Sequence, residues 1–398
     1  MGGKTKVKLG VIGGRRGAAF NTALKYFSEK VVLSSICDIS EEVVARWKAD
    51  FPWVKGYTSF ETLLYEDDCN AVFIATPRRL HANQAIKAMR AGKHVLSEVP
   101  AALTLDECWE LVETVERTGL TYMLAENYCY TRPNMMVLNM AQKGIFGEIT
   151  YAEGAYIHDC RQLFFCENGQ LTWRGQEKRD VNGNTYPTHS LGPIAQWLGI
   201  NQNDRLVLTS TWMAKTASTP RYAERNFGKE HPGAKREFWS HGDSATTLIE
   251  TQSEAVIVLR VDSTSARPHN MTHYVLQGTT ASYVSPRYEK DDPLIWIEGR
   301  SPTAPDGTAT GWECLWDYAD EFEHPRWKRW GDVAREAGHG GGDFFALQDF
   351  VDAILQGTRP PIDVYDAVTW SSIIPLSIES VKKKGAPVEI PDFTKGGR

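Results

Sequence analysis

A chain of 398 residues exceeds one ordinary domain, so two are expected, each able to bury a core of its own. The net charge of −6, with no basic tract, argues against nucleic acid and anionic membranes as partners. Seven cysteines, scattered without a C-x-x-C pair, give neither a disulfide framework nor a zinc site, so no metal is expected and the thiols read as small apolar fillers in a reduced compartment. The opening M-G-G-K-T-K-V-K runs into an apolar strand with no signal region or transmembrane span, which points to a cytoplasmic protein.

The first elements form the stretch around which the chain is organised. An apolar run, Val7 to Ile12, enters a glycine cluster of Gly13, Gly14 and Gly17. Phe20, Leu24 and Phe27 follow at helical spacing, and a second apolar run ends in Asp38. This is a βαβ unit with a carboxylate placed as in a dinucleotide site: the glycines admit a pyrophosphate, and Asp38 accepts the ribose hydroxyls. Arg15 stands where a second glycine is usual, and Ala18 where a third is, so the turn is one residue short. A neutral Ile39, not an arginine, follows the acid, which favours NAD over NADP.

The α/β alternation continues with a helix over Glu41 to Asp50, a strand over Ala71 to Thr76, a helix over Leu80 to Ala91 and a strand over Lys93 to Glu98. Thr104 and Glu107 form a capping box that opens a helix closing at Gly119, and Thr121 to Glu126 is the next strand. A doubly wound parallel sheet is expected over residues 1–127, with Thr76, Pro77, Glu98 and Glu126 along one crevice at the strand C-termini. Beyond a helix starting near Arg132 the pattern changes. Glu148 to His158, Arg205 to Met213, Ala245 to Thr251, Ala255 to Asp262 and His273 to Gln277 alternate like strands, so residues 128–398 read as an α+β substrate domain with an open-faced, mainly antiparallel sheet. Residues 296–330 hold five tryptophans without periodicity and read as a long ordered loop at a site rim or an oligomer contact; a homo-oligomer is expected. Phe344 to Leu355 and Val368 to Val381 read as helices near the domain junction.

The motifs A-T-P-x-x-x-H (Ala75 to His81) and G-K-H-V-L-S-E-V-P (Gly92 to Pro100) resemble the Gfo/Idh/MocA oxidoreductase superfamily, which pairs a Rossmann domain with an open-faced sheet. Most of that superfamily has E-K-P where this chain has Glu98-Val99-Pro100, so the lysine of its sugar dehydrogenases is missing. Longer runs narrow the likeness: Glu98 to Trp109, Glu153 to His158, Gly183 to Pro193 and Asp363 to Ser377 resemble glycoside hydrolase family 109. That resemblance implies a glycosidase that oxidises sugar C3 with NAD, eliminates the C1 substituent, adds water and returns the hydride. The alternative is a dehydrogenase that releases the 3-keto sugar.

The resemblance assigns Gly13, Gly14, Arg15, Arg16, Gly17, Asp38, Thr76, Pro77, His81, Glu98 and Asn127 to the cofactor. Such chemistry needs proton-transfer groups rather than the carboxylate pair of ordinary glycosidases. Tyr186 and His189, three residues apart beside a helix start, are placed to aim at one point. Tyr156 and His158 share one strand face, and Tyr156 and Glu126 match family site residues. Trp173 and Arg174 match the W-R pair of a substrate-facing loop, and His269 stands where the family has a tyrosine after R-P. Catalytic roles are therefore expected for His189, Tyr186, Tyr156 and Glu126. A small-molecule glycoside is expected to meet His158, Trp173, Arg174 and His269.

Overall fold

A computed structural model describes residues 6–268, 270–288 and 290–395. The chain divides into two compact units. The first comprises residues 6–132, 325–372 and 393–395. In chain order it holds β1 (Val7–Ile12), α1 (Gly14–Gly17), α2 (Asn21–Tyr26), β2 (Val31–Cys37), α3 (Glu41–Asp50), β3 (Lys55–Tyr57), α4 (Phe60–Glu66), β4 (Ala71–Ile74), α5 (His81–Arg90), β5 (His94–Ser97), α6 (Leu105–Thr118) and β6 (Tyr122–Leu124). The six strands pair in parallel in the order β3-β2-β1-β4-β5-β6. Both faces are covered, so β4 is buried at every position, as its unbroken apolar run requires. The order reverses between β1 and β4, which puts the switch point, where such sheets bind ligands, at their C-terminal ends. Ser40 and Ser59 cap α3 and α4, and Thr104 with Glu107 closes a complete capping box on α6.

The second unit comprises residues 133–324 and 373–392. After α7 (Arg132–Gln142) come β7 (Ile149–Ile157), α8 (Trp173–Asp180), α9 (Thr188–Trp197), β8 (Leu206–Met213), α10 (Ser218–Phe227), β9 (Ser244–Thr251), β10 (Val256–Asp262), β11 (Asn270–Gly278), β12 (Ala281–Val284), β13 (Leu294–Ile297), β14 (Glu313–Cys314) and α11 (Ala319–Phe322). With β15 (Val388–Glu389) they form a nine-stranded sheet, β14-β13-β12-β11-β7-β10-β9-β8-β15. Every pairing is antiparallel except β7 with β10. Strand β9 alternates buried and exposed residues, the mark of a sheet with one covered face. On the covered face α9 lies against β7, where Gly154 has no side chain to collide with the Ser190 carbonyl.

Three further helices complete the chain: α12 (Pro325–Ala334), α13 (Gly342–Gln356) and α14 (Val364–Lys382). Residues 296–330 are therefore not one loop; Trp296 lies in β13, and Trp327 and Trp330 lie in α12. The sequence hides this because β14 is two residues long and the tryptophans serve three different elements. The domain boundary also differs from a single cut at 127/128, since α12, α13 and the first part of α14 belong to the first unit. The cause is packing. Phe344, Phe345, Phe350 and Val351 are buried, with Phe344 4.9 Å from Phe27, and the Trp327 indole N–H donates to the Tyr130 carbonyl at 2.9 Å. The second part of α14 serves the sheet unit, where Ser380 accepts from Thr211 N and Ser377 from Asn184 N. Among the described residues no helix is long and apolar enough to cross a membrane.

Candidate active site

In the first unit the glycine turn is shaped by close approach. Gly13 has φ +93°, and a Cβ there would come within 2.5 Å of the Ala75 carbonyl at the end of β4. A Cβ on Gly17 would meet Val11 at the same distance, so β1 and the following helix close tightly. Asp38, just past β2, takes the Gly14 N–H on Oδ2 at 2.8 Å and the Ser40 N–H on Oδ1 at 2.9 Å. Each oxygen keeps a second acceptor site. Ile39 beside it is 94% exposed and offers no charge for a 2′-phosphate. A turn opened by Gly13 and Gly14 next to an anchored carboxylate fits NAD.

The other expected cofactor residues line up along the same strand ends. Arg16 Nε and Glu98 Oε1, both expected at the cofactor, form an ion pair with each other at 2.6 Å, while Arg15 is exposed. The Thr76 hydroxyl donates to Gln84 at 2.6 Å, and Pro77 opens the turn before α5. His81 departs from expectation. It is buried, with Nδ1 2.8 Å from the Pro100 carbonyl and Nε2 2.7 Å from the Thr76 carbonyl. Both ring nitrogens face backbone carbonyls, and a neutral imidazole donates to only one of them, so His81 ties the chain to the crevice wall at Thr76 or at Pro100. Burial pushes its imidazole below the ordinary range, against the pull of the two carbonyls. Glu126 and Asn127 follow β6 and are fully buried; Glu126 caps the turn over Asn127–Tyr130 through the Tyr128 N–H at 3.3 Å.

The second unit gathers rings from two separate segments. Tyr156, near the end of β7, lies 5.2 Å from Tyr186 and 5.3 Å from His189, and the last two are 5.0 Å apart, centroid to centroid. His158, two residues along the strand, stands edge-on to Tyr156 at 5.9 Å. The meeting has local causes. Pro187 precedes α9, His189 sits in its first turn, and the Tyr274 hydroxyl donates to the His189 carbonyl at 2.5 Å. Two phenols and an imidazole in one cluster can exchange protons with a ligand hydroxyl or an acidic C–H. Trp173 and Arg174 lie on the first turn of α8 rather than in a loop, and the guanidinium sits 4.2 Å over the neighbouring indole. His269 lies outside the described residues.

Two features were not visible in the sequence. Buried Lys178 donates to the Thr185 hydroxyl at 3.1 Å and meets His241 Nε2 at 2.8 Å, which braces the segment leading to Tyr186. In the first unit Asp343 bonds Asn127 and His339 at 2.9 Å each. Among the described residues no group of acids, histidines or cysteines is arranged to hold a metal.

Fold and crevice together define an NAD-binding enzyme of the oxidoreductase-like class, and the family model "Oxidoreductase family, NAD-binding Rossmann fold" matches residues 7–126. The model "Glycosyl hydrolase 109, C-terminal domain" matches residues 130–398. The chain belongs to glycosyl hydrolase family 109. A family 109 protein of Solibacter usitatus is 37% identical over 98% of this chain and 89% of its own length. A Shewanella oneidensis protein named alpha-N-acetylgalactosaminidase is 36% identical over 98% and 85%. In fold, the chain is similar to levoglucosan dehydrogenase in complex with NADH, with a TM-score of 0.77, 21% identity, and coverage of 98% of this chain and 100% of that one.

Proposed function

We propose that this protein is an NAD-dependent glycoside hydrolase acting by transient oxidation at C3, elimination across C1 and C2, addition of water and re-reduction, with no net redox change. The observation that carries it is the cluster of Tyr156, Tyr186 and His189, proton-transfer groups within 5.3 Å of one another, in a family 109 chain. When bound, NAD supplies a hydride acceptor that is restored by the end of the cycle. His189 and Tyr186 take and return the C3 hydroxyl proton, and Tyr156 removes the C2 proton once the adjacent ketone has acidified it. Family likeness adds Glu126 to these acid–base groups. Val99, in place of the lysine usual in the superfamily's sugar dehydrogenases, favours hydrolysis over an enzyme that stops at the ketone.

The second reading, a glycoside 3-dehydrogenase, has the oxidoreductase-type Rossmann domain in its favour. One experiment separates the two. A panel of nitrophenyl glycosides, starting with the α-N-acetylgalactosaminide that the Shewanella relative's name suggests, is assayed with NAD in D₂O. Phenolate release without NADH build-up, and deuterium at C2 of the free sugar, is the expected result. NADH formed in proportion to substrate consumed promotes the dehydrogenase, and NAD-independent release of a sugar free of deuterium overturns both.

A further inference from the structure

We infer that the surface groove at the end of β8 is a second binding site, for an acidic saccharide, distinct from the ring cluster and independent of the catalytic reading. The groove encloses about 760 Å³, within the span of small-molecule sites, and lies wholly in the second unit. Neither Tyr156, Tyr186 nor His189 lines it. Strand β15 pairs with β8 only at Leu208 and Thr209, so the edge beyond is left to the end of α14. There the Ser210 hydroxyl donates to the Gly385 carbonyl at 2.7 Å, and Ser380 takes the Thr211 N–H at 2.9 Å. These bonds fix one wall of the groove.

That wall is aromatic. Trp212 is 60% exposed, an unusual state for so large an apolar side chain. Backbone supports its indole from one side, because a side chain on Gly385 would overlap the ring. Buried Trp239, its N–H committed to the Gly233 carbonyl at 2.8 Å, adds further apolar lining. Lys384, next to Gly385, has φ +57°, a region unfavourable for a lysine and easy for a glycine. The helix does not need that charge, since Lys382 in its last turn already complements the dipole. The groove, which Lys384 lines, accounts for the strained residue.

Charge names the ligand. Lys215, Arg236 and Lys384 are exposed on the lining, and none has an ion pair or a side-chain hydrogen bond among the described residues. In a chain of net charge −6, three cations and one acid, Glu237, make the groove locally positive. Such a patch attracts an anion. Glu237 and the Ser240 hydroxyl add partners for ligand hydroxyls, since a carboxylate accepts from them. A phosphate-dense ligand would instead meet Glu237 as a like charge. A sugar acid suits every part: its C–H face stacks on Trp212, its hydroxyls reach Glu237 and Ser240, and its carboxylate meets the cations.

The test uses the full chain with NAD bound, titrated by calorimetry with trigalacturonate, its neutral counterpart galactotriose and AMP. Trigalacturonate should bind most tightly of the three, and more weakly as salt rises. Trp212→Ala should weaken it by about tenfold. Lys384→Gly, which relieves the backbone, should weaken it by about threefold without lowering the melting temperature. NAD affinity should not change in either variant, and Lys384→Gly stands in if Trp212→Ala does not fold. Unchanged binding in both variants, or a loss in His189→Ala instead, would place trigalacturonate elsewhere and overturn the site. So would no binding at all, or AMP bound more tightly. A dimer that Trp212→Ala splits in light scattering would give this face to a second copy and likewise overturn the inference.

Discussion

The glycine crevice of the first unit and the ring cluster of the second are built on different principles. In the crevice backbone does most of the work: Asp38 is held by two N–H groups, and the glycines matter for what they lack. In the cluster the functional atoms are side chains, held by ring contacts at 5.2 and 5.3 Å between segments some thirty residues apart. A site made of backbone should degrade by degrees when one side chain is lost. A site made of proton-transferring side chains should fail nearly outright.

The largest effect tests that contrast directly. His189→Ala and Tyr186→Phe should keep their folds and bind NAD, yet lose about 10² to 10⁴ in turnover on whichever glycoside is cleaved. Near wild-type turnover in both, with melting curves unchanged, would return the cluster to a packing role. Next in size, Asp38→Ala should weaken NAD by roughly tenfold or more in calorimetry, since a charged acceptor contributes about 1–3 kcal/mol per hydrogen bond. Unchanged affinity would show that the crevice does not depend on the Asp38 carboxylate.

The smallest effect concerns strand pairing in the first unit, at the N-terminal ends of β5 and β6, away from the crevice. His94 Nδ1 accepts the Thr121 N–H at 3.0 Å, and burial holds the imidazole below its ordinary value of 6.5. The unfolded chain therefore takes up the proton first. Stability is complete above about 6.5 and is lost as pH falls through that value toward the lower folded one. His94→Asn, whose side-chain oxygen can accept the same N–H, should flatten this part of a plot of melting temperature against pH. Burial lowers His81 and His273 as well, so the difference between the two plots is the measurement. An identical slope in the variant would remove His94 from the account.

Much of the Rossmann unit was legible because its signals are local. Helix α3 runs from Glu41 to Asp50 as read, since Ser40 marks its start, and the Thr104–Glu107 box marks α6. The segment of Tyr186 and His189 was legible as a helix entry without a capping side chain, since Pro187 stands at its start. Other parts depend on distant packing. Helix α10 begins Ser-Thr-Pro, which reads as a turn, and α8 carries few apolar residues to reveal a period. The Gly338–Asp343 run reads as a linker because its contacts with Asn127 cross more than two hundred positions. The available signal was one histidine and one aspartate bracketing glycines just ahead of an apolar helix. For His81, a histidine at a crevice invites a ligand role, and only the fold reveals that its ring nitrogens face two backbone carbonyls.

Strand β7 has a consequence for how the protein is made. It pairs with β10, where Tyr151 lies opposite Val256, and with β11, where Ala155 lies opposite His273. A ribosome must therefore finish more than a hundred further residues before the strand that carries Tyr156 finds either neighbour. Contacts this remote in sequence form slowly, because loop closure comes before any gain from pairing. Until then both edges of β7 are open to other chains. Yield of soluble protein should accordingly depend on synthesis rate and temperature through the second unit, while β1 to β6 pair over shorter separations, the longest being that of β1 with β4, where Leu9 lies opposite Ala71.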